Sequence, residues 1–250
     1  MNQHGNAAPH TPLHRRQVVT GFAAIGGAAL WAATGGSGSA MATPTAGRAV
    51  TTASSAARWR GTHSANGWPV VERAPEHGIE GAGGTRVSCL GGDVATVLLH
   101  LVRRYHYEVR AIGPRDVAGH TGERMIGPPY ESNHLSGTAV TLFPALYPAG
   151  AKGNVFPQDL ATLRDILAEL DGVVAWGGDQ KHAKESHFQI DVGPGDKRLA
   201  AVAARVGAWD RRPGVGAGVV PDVFATRRRT RARDVRDRQN QQARQNQRSR

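Results

Sequence analysis

Ser132-Asn133-His134-Leu135-Ser136-Gly137-Thr138-Ala139-Val140-Thr141-Leu142 reads as a histidine set just ahead of a short β-prone run. Gly137 and Ala139 are small enough to let another backbone approach closely. A second stretch repeats the arrangement: Trp176-Gly177-Gly178-Asp179, then Glu185-Ser186-His187-Phe188-Gln189-Ile190. Two distant histidines plus one carboxylate would make an open zinc site, whose vacant position holds the attacking water. Among eleven histidines such a pair also arises by chance, so the residues alone leave ligand and structural roles both open.

Around these stretches the chain alternates helical and extended patterns. Residues 93–105 (DVATVLLHLVRRY) space their apolar side chains as a helix does, with Asp93 in the first turn. Residues 157–170 make a second helix, opened by Pro157 and stopped by Asp171-Gly172, with Leu160, Leu163, Ile166, Leu167 and Leu170 on one stripe. A third helix is expected over 196–206. Strands are expected over 107–112, 172–176 and 187–192. Helices mixed with short strands, without regular β-α-β spacing, predict an α+β domain built on a small antiparallel sheet with flanking helices. Cys89 sits just before an apolar stretch and reads as a buried thiol.

The wording of the two stretches adds a resemblance. SNHLSGTAVTL resembles the SxHxxGxAxD motif of the zinc D-alanyl-D-alanine carboxypeptidases (VanY-like, with phage endolysin peptidases). WGGD with a downstream His-Phe pair resembles that family's second motif, WGGDW followed by D-x-x-H-F-E. NGWPV at 66–70 and the helix at 93–105 look like its exported branch, so the likeness spans roughly residues 67–209. It implies a Hedgehog/D,D-peptidase-like fold around one zinc, acting on the stem peptide of peptidoglycan. In that family a histidine and an aspartate of the first motif and a histidine of the second hold the metal. An acidic residue three places before the last histidine is the general base, taking a proton from the zinc-bound water.

Carried onto this chain, the resemblance makes His134 and His187 metal ligands. The aspartate position falls on Thr141, and the base position on Lys184. A neutral hydroxyl is a poor zinc ligand, and an ammonium accepts no proton and repels a cation. The family's glutamate after His-Phe is Gln189 here. Repair is conceivable: Glu185 shares a face with His187 in an extended segment and is the candidate base or third ligand. Asp179 and His182 are further candidate ligands, and Arg124 is a candidate for binding a substrate carboxylate.

The ends differ from the middle. The net charge of +11 lies mostly at the termini: 227–250 holds ten Arg and two Asp, while 43–226 is nearly neutral. Residues 1–42 carry Arg15-Arg16, a moderately apolar run and Ala40-Met41-Ala42, which resembles a twin-arginine secretory signal. The expected organisation is a signal over 1–42, a linker over 43–66, the peptidase-like domain over 67–210, and a Gly/Pro linker with a disordered Arg-rich tail over 211–250. An exported, cell-wall-associated monomer follows. Its partners would be peptidoglycan peptides and, through the tail, anionic wall polymers or a membrane surface. Nucleic acid is not expected, because no aromatic residue interleaves the basic run. Two activities remain: a zinc peptidase that cuts a stem-peptide bond, with Glu185 pressed into service, or a catalytically silent wall-binding module on the same fold.

Overall fold

The computed structural model describes residues 56–248. The signal at 1–42 and most of the linker that follows lie outside them. In chain order the elements are β1 (Ala57–Arg58), β2 (Glu76–Gly78), β3 (Arg86–Ser88), α1 (Asp93–Glu108), β4 (Val117–Ala118), β5 (Met125–Ile126), β6 (Ala139–Leu142), α2 (Pro157–Glu169), β7 (Val174–Trp176), β8 (His187–Ile190), α3 (Lys197–Asp210) and α4 (Thr226–Arg248). Short 3-10 turns occupy Pro129–His134 and Gly177–Asp179.

The architecture is α+β, with small antiparallel sheets and flanking helices. The main sheet has the order β4-β6-β8-β7, antiparallel throughout. Its two faces follow from period two. Val140, Leu142, Phe188, Ile190, Val174 and Trp176 point into the core, where α1, α2 and α3 contribute Leu98, Leu101, Leu163, Ile166, Val202 and Val206. Ala139, Thr141, His187, Gln189 and Ala175 share the other face. Cys89 is fully buried, and burial pushes its thiol up to about 12.

Four expectations change. Residues 107–112 do not form a strand: α1 runs on through Glu108, where Arg104 and Glu108 close an i,i+4 ion pair with both side chains buried. The helix therefore takes the first two of these residues, and 109–112 follow it as a turn and irregular backbone. The third helix continues past Val206 to Asp210, after an Asp196 N-cap that accepts from the Arg198 amide at 2.8 Å. The last part of the expected linker, from Ala57 on, belongs to the fold. There β1 pairs with β5, and Ser64 and Asn66 bond to the first motif.

The largest change is at the C-terminus, where residues expected to stay disordered form α4, packed along α2. Composition offered it almost nothing apolar, and Val235 is its one deeply buried apolar side chain, at 2% exposure. Polar anchors make up the difference. Arg228 donates to both oxygens of Asp165 at 2.7 and 2.8 Å, and Gln239 Nε2 donates to the Val174 carbonyl at 2.9 Å. That last bond covers part of the open edge of β7, a sheet edge otherwise free to pair with another chain. Asp165 also accepts from the buried Arg104, which in turn meets Glu108 and Glu169.

Candidate functional site

The first motif is mostly scaffold. Ser132 Oγ accepts from the Ala65 amide, Asn133 Oδ1 from the Asn66 amide, and Ser64 Oγ donates to Ser136 Oγ at 2.9 Å. Asn66 Nδ2 donates to Thr138 Oγ1 at 2.8 Å and to the Ile190 carbonyl at 2.9 Å, tying this segment to β8. Gly137 takes φ +67°, and a Cβ there would stand 2.9 Å from the Leu90 amide nitrogen, so glycine is required.

This scaffold fixes two imidazoles. His134 ends its 3-10 turn and His187 opens β8; their ring centroids lie 5.0 Å apart. His134 Nδ1–H donates to the Gly119 carbonyl at 2.8 Å, which leaves Nε2 with its lone pair. His187 Nε2–H donates to Gln189 Oε1 at 3.0 Å, and the same oxygen accepts from Asn133 Nδ2 at 2.8 Å. His187 Nδ1 is thereby the lone-pair nitrogen, and it is buried without a hydrogen-bond partner. Gln189 thus fixes the orientation and tautomer of the His187 ring through its amide oxygen. Both rings stay neutral. Burial, with the Lys184 ammonium next in weight, lowers His134 to about 4; burial and His134 put His187 well below the usual range.

Of the remaining candidates, Thr141 joins them and the others do not. Thr141 lies across the β6–β8 ladder from His187, and its hydroxyl donates to His134 Nε2 at 3.0 Å. Lys184 Nζ is bound by Glu131 at 2.6 Å. Glu185 turns its carboxylate away, accepting from the amides of Gly153 at 2.6 Å and Asn154 at 2.9 Å. Asp179 is held in a two-pronged ion pair by Arg164, and His182 is exposed. Arg124 spends its guanidinium on the Trp59 and Gly61 carbonyls at 3.3 Å, beside β1.

No family model, no curated protein and no solved structure matches this chain.

The site is therefore judged on its own chemistry. Two imidazole lone pairs, each with the opposite ring nitrogen already anchored, suit a zinc ion. The rest does not: Thr141 offers a neutral hydroxyl, an ammonium stands nearby, and among the described candidates Glu185, Asp179 and Glu131 are each already bound elsewhere. Among the described residues no group of three or more His, Cys, Asp and Glu side chains is placed to hold a metal. These residues do not fit a hydrolytic zinc centre.

Sequence reasoning missed several members of the site. Tyr130 places its ring 4.8 Å from His187 and donates its hydroxyl to the His182 carbonyl at 2.7 Å. Glu131 neutralises Lys184, and Gln189, seen only as a mild change, organises the back of the site. Lys184, so near His187 in the sequence, was the available signal for Glu131, since a part-buried ammonium needs a carboxylate partner. Along the same sheet face, Gln189 also lines a cavity of about 360 Å³ with Asp191, Gln180, Lys181 and the α4 residues Asn240 and Gln242. Burial raises the Asp191 carboxyl to about 6.

Proposed function

We propose that this is an exported wall protein of the D,D-peptidase kind that binds peptidoglycan stem peptide and does not cut it. The observation that carries the reading is the Thr141 hydroxyl bonded to His134 Nε2, with Lys184 at the base position paired to Glu131. Where hydrolysis needs a ligand carboxylate and a proton acceptor, this chain has a hydroxyl and an ammonium. The same ammonium suits the other task. Beside two neutral imidazoles and paired with Glu131, it offers its remaining N–H donors to the terminal carboxylate of a stem peptide, in partial exchange for Glu131. The amide-lined cavity beyond Gln189 gives the peptide backbone donors and acceptors along the same sheet face.

The test is calorimetry and product analysis with a soluble stem peptide ending in D-Ala-D-Ala, on protein purified without chelator and checked for zinc by elemental analysis. Binding is expected without metal and without release of D-alanine, and Lys184→Met should weaken it roughly tenfold. Release of D-alanine on zinc addition would return the chain to the peptidases. Absence of binding would end the wall-peptide reading.

A further inference from the structure

Between α2 and α4 lies a second cavity, of about 170 Å³, lined mainly by arginines. Arg229, Arg233 and Arg236 line it from α4, and Arg164 lines it from α2. Spacings of four and three residues bring the α4 arginines onto one helix face. Their charges are nearly unspent. The Arg229 guanidinium has no hydrogen bond or ion pair among the described residues. Arg233 reaches only the Thr230 hydroxyl at 3.5 Å, and Arg236 only its exposed neighbour Asp237 at 3.8 Å. Arg164 gives its terminal nitrogens to Asp179, and its buried Nε–H has no acceptor. One carboxylate, Asp165, also borders the cavity, but Arg228 and Arg104 already hold both its oxygens.

Clustered guanidiniums with unsatisfied donors complement a phosphate group, whose oxygens accept several charge-assisted hydrogen bonds at once. The neighbouring side chains say where that phosphate sits. Val223 forms one wall of the cavity, and residues on either side of it in the chain leave large apolar side chains in water: Phe224 is 59% exposed and Val220 71%. A soluble phosphodiester polymer has no use for these, whereas a lipid surface takes both, headgroup phosphate on the arginines and apolar side chains at the acyl boundary. We infer that the α2–α4 cavity with Val220 and Phe224 is a docking site for an anionic phospholipid surface. It lies apart from the peptide cleft and stands whether or not that cleft binds peptide.

Flotation of the purified chain with phosphatidylcholine vesicles, with and without phosphatidylglycerol, tests this. The chain should float only with phosphatidylglycerol. Arg229→Gln/Arg233→Gln/Arg236→Gln should lower affinity roughly a hundredfold, and Arg227→Gln/Arg231→Gln/Arg238→Gln, which removes equal charge outside the cavity, no more than about tenfold. Phe224→Ser should cost roughly tenfold. None of these arginines lies in a buried ion pair, and unchanged thermal unfolding confirms that the variants fold. Equal losses in the two triple variants would overturn the site in favour of charge alone. So would tight binding to soluble poly(glycerol phosphate) that Phe224→Ser leaves unchanged, or no flotation at all.

Discussion

Thr141 stands across the ladder from His187 and 3.0 Å from His134 Nε2, so a carboxylate at this position would reach toward both lone-pair nitrogens. Thr141→Asp with Lys184→Asp is expected to raise zinc content from a trace to about one ion per chain by elemental analysis, and to create stem-peptide hydrolysis. A double variant that folds yet stays metal-free would mean that the two motifs are aligned wrongly. The imidazoles also set a pH dependence. Because the fold holds both neutral, the unfolded chain takes up protons first, below its ordinary value of about 6.5. Stability in chelator should therefore fall with acid from there toward about 4, where His134 itself protonates. The slope is roughly 1.4 kcal/mol per pH unit for each neutral ring, and His134→Gln should reduce it in urea titrations. A pH-independent midpoint would contradict the neutral pair. Of the site, the two histidines could be read from residue types, and Thr141 and Lys184 from the resemblance. That Glu185 faces Gly153 and Asn154 could not, since a loop of a few residues decides it.

At the scale of elements, the helices α1, α2 and α3 follow from apolar stripes, caps and stop signals written locally, and were legible apart from their ends. The strands β7 and β8 were legible too, although 107–112 was not, because a buried Arg104–Glu108 pair lies outside what alternation can express. For α4 the misreading is larger. Its docking uses one valine, a bidentate arginine and a glutamine on an edge carbonyl, and each depends on a partner more than 60 residues earlier. Val235→Asp should undock it, since an unpaired carboxylate would have to enter the α4 interface. Hydrogen exchange is expected to show at least a tenfold loss of protection over α4, with β6 and β8 unchanged. Protection retained throughout α4 would mean that Val235 does not anchor it.

For the whole molecule, Arg104 is the charged hub that links α1 to α2 and, through Asp165 and Arg228, to α4. Its guanidinium is held by Glu108, Asp165 and Glu169, and His100 Nε2 meets Glu169 at 2.9 Å. Arg104→Met strips the buried Glu108 of its cation and leaves Asp165 and Glu169 to Arg228 and His100. It should cost roughly 3–5 kcal/mol in chemical denaturation, against little for the exposed Arg86, whose partner Glu76 is equally exposed. Composition located the chain's excess charge at its ends, and periodicity gave the α+β class, because both are properties of neighbouring residues. By resemblance, the sequence also marked His134, His187, Thr141 and Lys184 as the positions on which a peptidase reading turns. Only the tertiary structure decided that segment 57–66 belongs to the domain, that Glu131 and Gln189 complete the site, and that the basic C-terminus is a docked helix with an arginine-lined cavity. Those outcomes rest on hydrogen bonds and ion pairs between residues far apart in the chain, which no local pattern encodes.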